Sequence, residues 1–251
     1  MKTNTTNASL SDSTIPATAN PQIYSSAAGF LARYPAVGWI LFLLGGLIFV
    51  VLAYNVRTNG PLLAWDQPID QELHARATHD NPIDFYAMKL SATFGRETAA
   101  VIMLGLGLFW LFKRKWHQFS MLLLGVVGGN LWFLTLSNFF MRHRPVWPDP
   151  LDPLPGPGFP SGHSITSTLL YGLILILLLP TLTSTGWRLL AALDALLIVL
   201  LVGYSRLYMG AHFPTDVLAG YSFGLAWGGL VYTTLEVLRL RRMHKSATAA
   251  T

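Results

Sequence analysis

Apolar runs of roughly bilayer length alternate along this chain with polar connections. Six of them stand out, at 36–54, 98–112, 118–141, 164–182, 189–204 and 217–238. A hydrocarbon core of about 30 Å takes about 20 helical residues to cross. In lipid only helices and closed barrels satisfy every backbone polar group, so each run predicts a helix. The second run is short and borrows residues from before Arg96. Between the first two runs, residues 59–95 are too polar to span. Trp65, Leu73, Phe85 and Tyr86 lie there among acids, a mixture that suits an interfacial amphipathic helix and equally a plain loop. The expected fold is therefore an all-α bundle of six transmembrane helices over 35–240, with an extracytoplasmic interfacial helix or loop after the first. Residues 1–34, rich in Thr, Ser, Asn and Ala, are expected to be a disordered tail. Residues 241–251 are expected to form a basic cytoplasmic tail.

Composition supports a membrane protein and narrows its chemistry. The chain is 52% hydrophobic and 12% charged, against about 25% charged for ordinary soluble domains. It has no cysteine, which excludes thiol catalysis, disulfides and thiolate metal sites. The net charge of +5 is small, and no basic stripe points to nucleic acid. Ten of the 17 Lys and Arg residues fall in the tails and the connections that contain Arg33, Lys113–Lys115 and Arg188. By the positive-inside rule those face the cytoplasm, with both termini. The connections after the first, third and fifth runs then face outward, in an inner membrane toward the periplasm.

Three polar clusters fall on that outer side: "SNFFMRHRP" at 137–145, "FPSGHS" at 159–164 and "YSRLYMGAHFPTD" at 204–216. Each has an ordinary structural explanation alone. Arginines anchor span ends, Ser161 can cap a helix, and His212 with Asp216 can close a turn. Together they place guanidiniums, a helix N-terminus, two imidazoles and a carboxylate at one rim of a bundle, which suits phosphoryl transfer. The transition state spreads negative charge over three equatorial oxygens, and guanidiniums meet such oxygens bidentately. Arg144 and Arg206 fit that role. Ser161 Oγ and the amides of Gly162 and His163 form an anion site where a helix begins, and Gly162 lets backbone approach the ligand. Asp216 can hold one nitrogen of His212, leaving the other as nucleophile. His163 then protonates the leaving oxygen and later takes a proton from water. No cofactor is needed for these steps, and no carboxylate cluster suited to Mg²⁺ is evident.

These residues resemble the type 2 phosphatidic acid phosphatase superfamily, which also contains bacterial acid phosphatases and vanadium haloperoxidases. Its pattern is Lys, six residues, Arg-Pro; then Pro-Ser-Gly-His; then Ser-Arg, five residues, His, three residues, Asp. Here the second element is complete at Pro160–His163, and the third at Ser205, Arg206, His212 and Asp216. The first gives Arg144 and Pro145, but Ser137 stands at the Lys position, where Arg142 is a possible substitute. The resemblance implies a six-helix membrane phosphatase with an outward-facing site. Substrates of the kind implied are phosphatidic acid, phosphatidylglycerol phosphate and undecaprenyl diphosphate. A phosphotransferase using the same intermediate, and a lipid-phosphate binding or transport protein, remain alternatives. Inside spans, Asp194 reads as a packing or protonated structural residue and Asn130 as helix–helix packing polarity.

Overall fold

The computed structural model describes residues 29–248 apart from Asp80, and among those residues every regular element is a helix. We number the helices α1 (Phe30–Arg33), α2 (Pro35–Thr58), α3 (Asp66–His79), α4 (Pro82–Thr93), α5 (Glu97–Phe112), α6 (Trp116–Phe140), α7 (Gly162–Leu178), α8 (Thr185–Tyr208) and α9 (Pro214–Thr248). Five stretches are long and apolar enough to cross a membrane: α2, α4 with α5, α6, α7 with its following turn, and α8. Large apolar side chains such as Leu43, Leu47, Leu193 and Leu197 point outward from them. A soluble protein would bury such residues; here they form a lipid-facing coat.

The sixth expected span corresponds to α9, which falls outside that group despite its 35 residues. It packs along most of α2 and also against α7 and α6. Its inward positions are small or polar, among them Gly220, Ser222, Gly224 and Thr233, because neighbouring helices cover them rather than lipid. An added Cβ at Gly45 of α2 would lie 2.7 Å from the Ser222 carbonyl, and one at Gly229 would lie 2.6 Å from that of Gly38. Small residues at such crossings let two backbones meet.

Several boundaries differ from the expected ones. The tail expected over 1–34 lies outside the described residues as far as residue 28. Its end is ordered, since α1 buries Leu31 in the main apolar cluster. The stretch expected as a basic tail from 241 is helical as far as Thr248, continuous with α9, and its last three residues lie outside the described ones. Residues 59–95 are mostly helical, as α3 and α4, and both pack on α8. Asp194, expected to be a packing residue, lies exposed on α8 and contributes nothing to the interior. α6 widens to π geometry over Met121–Val127, and Trp227 Nε1 of α9 donates to the Leu124 and Gly125 carbonyls there.

The chain order of helix ends positions the site. α2, α6 and α8 end, and α5, α7 and α9 begin, next to the three polar clusters. Replacing Gly45 by Leu forces the α2–α9 crossing apart. Such overpacking costs about 1–3 kcal/mol, so the Tm of the purified protein in detergent is expected to fall. An unchanged Tm would show that the crossing is not tight.

Candidate active site

A cavity of about 390 Å³ opens among the ends of these helices, and its wall includes Arg144, Gly162, His163 and His212. These residues come from the segment after α6, the start of α7 and the turn before α9, so three distant stretches converge. α7 begins at Gly162, which places His163 in its first turn. Ser161 occupies the N-cap with extended backbone, yet its hydroxyl makes no cap bond and has no partner although fully buried. A buried hydroxyl without a partner is costly; Ser161 immediately precedes Gly162 of the cavity wall but does not itself line the cavity.

His212 is fixed from both sides. Its Nδ1 donates to the Gly158 carbonyl at 2.8 Å, and Arg144 Nη1 donates to its Nε2 at 2.9 Å. That pairing requires the tautomer with the proton on Nδ1 and a lone pair on Nε2. Burial, reinforced by Arg144 and Arg206, pushes His212 well below the usual histidine value, so the ring is neutral at neutral pH. Arg144 also donates to the carbonyls of Ala211 and Gly156, at 2.8 and 3.1 Å.

The expected role of Asp216 needs correction. Its Oδ2 lies 3.7 Å from His212 Nδ1, beyond a hydrogen bond, and accepts the Phe213 amide at 2.9 Å instead. The Gly158 carbonyl does the orienting. Asp216 remains the nearest carboxylate to that ring edge, suited to stabilising an imidazolium. Its other oxygen binds Arg142.

Arg142 does not take the place of the missing Lys. Met141 ends α6 in the left-handed region, φ 49°, and turns the chain so that Arg142 heads toward α9 rather than the cavity. There Nη1 donates to Asp216 and Thr215, at 2.5 and 2.7 Å, and Nη2 donates to Asp66 at 2.6 Å. Its guanidinium also stacks on Phe213, 4.7 Å from the ring centroid. Asp66 receives the Thr215 amide and hydroxyl too, at 2.9 and 2.6 Å. One buried guanidinium thus ties the start of α3 to the start of α9. Ser137 is buried and forms no part of the cavity wall.

Arg206 is 1% exposed; Nη1 donates to Asp152 at 2.7 Å, while Nε and Nη2 have no partner. Two unpaired donors on a buried guanidinium are strongly unfavourable unless an anion meets them. Gly162 also lines the cavity, but the space of its missing side chain is filled by the Phe133 ring, 2.9 Å from an added Cβ. The glycine therefore makes room for the Phe133 ring of α6. Asn130, read as a packing residue, accepts from Thr166 across α6 and α7 at 2.7 Å and lies in the cavity wall.

Sequence reasoning missed Asp66, Thr215, Asp152, Arg96 and the Gly158 carbonyl. Asp66 carried a readable signal, because Asp66, Asp70 and His74 recur every four residues along α3, on one helical face. All three are buried. Asp70 has an oxygen without a partner, and burial, with Asp216 and Asp66 adding to it, raises its pKa to about 7. For an acid raised in this way, ionisation costs stability as pH climbs from its unfolded value of 3.8 through 7. Asp70→Asn removes that cost, so the variant is expected to exceed the wild type in Tm at pH 8, with a smaller gain at pH 5. Equal gains at both values would refute the assignment.

Comparison with known proteins gives one consistent family. The profile of the PAP2 superfamily matches residues 118–239. Phosphatidylglycerophosphatase B of Bacillus subtilis (strain 168) is 36% identical over 193 residues, 71% of this chain and 87% of that protein. The crystal structure of the first transmembrane PAP2 type phosphatidylglycerolphosphate phosphatase, from Bacillus subtilis, superposes with a TM-score of 0.67 at 30% identity. The match covers 77% of this chain and 94% of that one. Aquifex aeolicus LpxE matches in fold, with a TM-score of 0.53 at 23% identity over 66% of this chain and 94% of that one.

Proposed function

This chain belongs to the PAP2 superfamily and is a membrane-embedded lipid phosphatase; on that footing we propose that it hydrolyses a lipid phosphate through a phosphohistidine formed on His212. The observation carrying this reading is the oriented ring of His212, held by Nδ1 on the Gly158 carbonyl and lining a cavity shared with His163. Nε2 attacks phosphorus while the bond to the leaving oxygen breaks, and protonated His163 gives that oxygen its proton. Neutral His163 then takes a proton from water. The resulting hydroxide equivalent attacks phosphorus, the P–N bond breaks, and inorganic phosphate leaves with His212 restored.

Arg144 shifts from Nε2 onto the incoming phosphoryl oxygens, and the unpaired donors of Arg206 and Ser161 meet the others. Guanidiniums supply the positive charge, so the reaction proceeds without a divalent metal. Asp216, 3.7 Å from Nδ1, stabilises the charge that the ring acquires. The relatives point to a substrate of the phosphatidylglycerol phosphate type.

For placement in the membrane, we take α9 as a sixth span beside the five apolar ones. Helix ends alternate along the chain, so both termini then lie opposite the site. The clusters containing Lys113–Lys115 and Arg239–Arg242 put those termini in the cytoplasm and the cavity on the periplasmic or extracellular side.

Purified protein in detergent with EDTA is expected to release phosphate from such lipids, and rapid denaturation at alkaline pH with radiolabelled substrate, which spares the acid-labile P–N bond, to trap label on the protein. His212→Ala should lower release at least about 1,000-fold and abolish the label. Release that persists in the variant would remove His212 as nucleophile.

A further inference from the structure

The reaction above leaves one charge in the cavity wall without a task. Arg96, between α4 and α5, lines the same cavity as His163, His212 and Arg144. Its neighbour Gly95 lies directly against His163: an added Cβ there would be 3.0 Å from His163 Cβ and 3.2 Å from its carbonyl oxygen. Arg96 therefore enters the cavity beside the histidine that handles the leaving group, whereas Arg144 contacts the nucleophile. Its pairing with Glu97 is loose, at 3.9 Å with both side chains more than 60% exposed. Such a pair holds little energy in water and leaves the guanidinium available.

In-line displacement puts the leaving group opposite the attacking nitrogen. A cation next to the general acid thus meets charge carried by the leaving group, not charge on the transferred phosphoryl. A diacylglycerol leaving group has none. Two lipid classes carry a second phosphate beyond the scissile one: a phosphodiester separated from it by a glycerol, and the inner phosphate of a diphosphate. The wall continues in the same sense. Ala100 and Met103 follow Arg96 at i+4 and i+7, so one face of α5 presents a cation at the polar rim and then an apolar track. An anionic group attached to a hydrocarbon stem matches that order. Ser137 stands where the family pattern has Lys, and Arg142 is occupied by Asp66 and Asp216. Neither supplies another cation to the cavity.

Resting on the phosphatase reading, we propose that Arg96 binds a second anionic phosphate on the leaving group, making this enzyme selective for lipids that carry two phosphates over those that carry one. The test compares kcat/KM for phosphatidic acid, phosphatidylglycerol phosphate and a prenyl diphosphate in one detergent. The wild type is expected to prefer at least one of the two-phosphate lipids. Arg96→Gln should reduce that preference about tenfold, the scale of one charge-assisted contact, mainly through KM. Arg96→Lys should keep most of it. A loss confined to the prenyl diphosphate identifies the adjacent phosphate as the ligand, and one confined to phosphatidylglycerol phosphate identifies the phosphodiester. A parallel fall on all three lipids, or no change in the ratio, overturns the proposal. Absence of turnover by the wild type on every lipid would instead overturn the phosphatase reading beneath it.

Discussion

The site depends on a buried guanidinium shared between two carboxylates. Arg142 joins Asp66, at the start of α3, to Asp216 in the first turn of α9, with Thr215 bonded to Arg142 and Asp66. The carboxylates are almost fully shielded from solvent, and the guanidinium nearly so. Such a cluster contributes modestly to net stability because desolvation offsets attraction, but removing one member leaves an uncompensated buried charge and costs about 3–5 kcal/mol. Its structural effect is fixation. The turn carrying His212 lies between Arg206 at the end of α8 and Pro214 at the start of α9, so holding Thr215 and Asp216 holds the ring.

From that fixed point the catalytic geometry follows. The segment after α6 passes over the site, and its backbone supplies two anchors: Gly158 orients His212, and Gly156 accepts from Arg144. The same segment sends Asp152 to Arg206, leaving two guanidinium donors unpaired inside the protein. Buried donors without acceptors are rare in folded proteins. Here the Arg206 donors and the Ser161 hydroxyl are both left unsatisfied, which supports the proposal that a phosphoryl group completes them. Arg144 secures the Nε2 lone pair, and in the proposed reaction it moves onto the phosphate oxygens.

Much of this was legible in the chain. Apolar run lengths gave the helices, and the three polar clusters gave His163, His212 and Arg144, which do share one cavity. What escaped was directional. The left-handed turn at Met141 decides that Arg142 faces α9, and a run of residue names does not show it. The partner of His212 Nδ1 is a backbone carbonyl, which any residue offers, so the more conspicuous Asp216 drew the assignment. Asp66 escapes because residues 59–95 are polar on average, whereas the regular spacing of Asp66, Asp70 and His74 holds the information. α9 is less apolar than the other five stretches because its small and polar positions face neighbouring helices rather than lipid.

The central claim is that Asp66 and Arg142 act as one unit to hold the nucleophile. A double-mutant cycle on kcat for phosphate release, using Asp66→Asn, Arg142→Gln and their combination, measures it directly. Each single change is expected to reduce kcat, and the double variant to lose little beyond the worse single one. Independent, multiplying losses, or full activity in either single variant, would contradict this account.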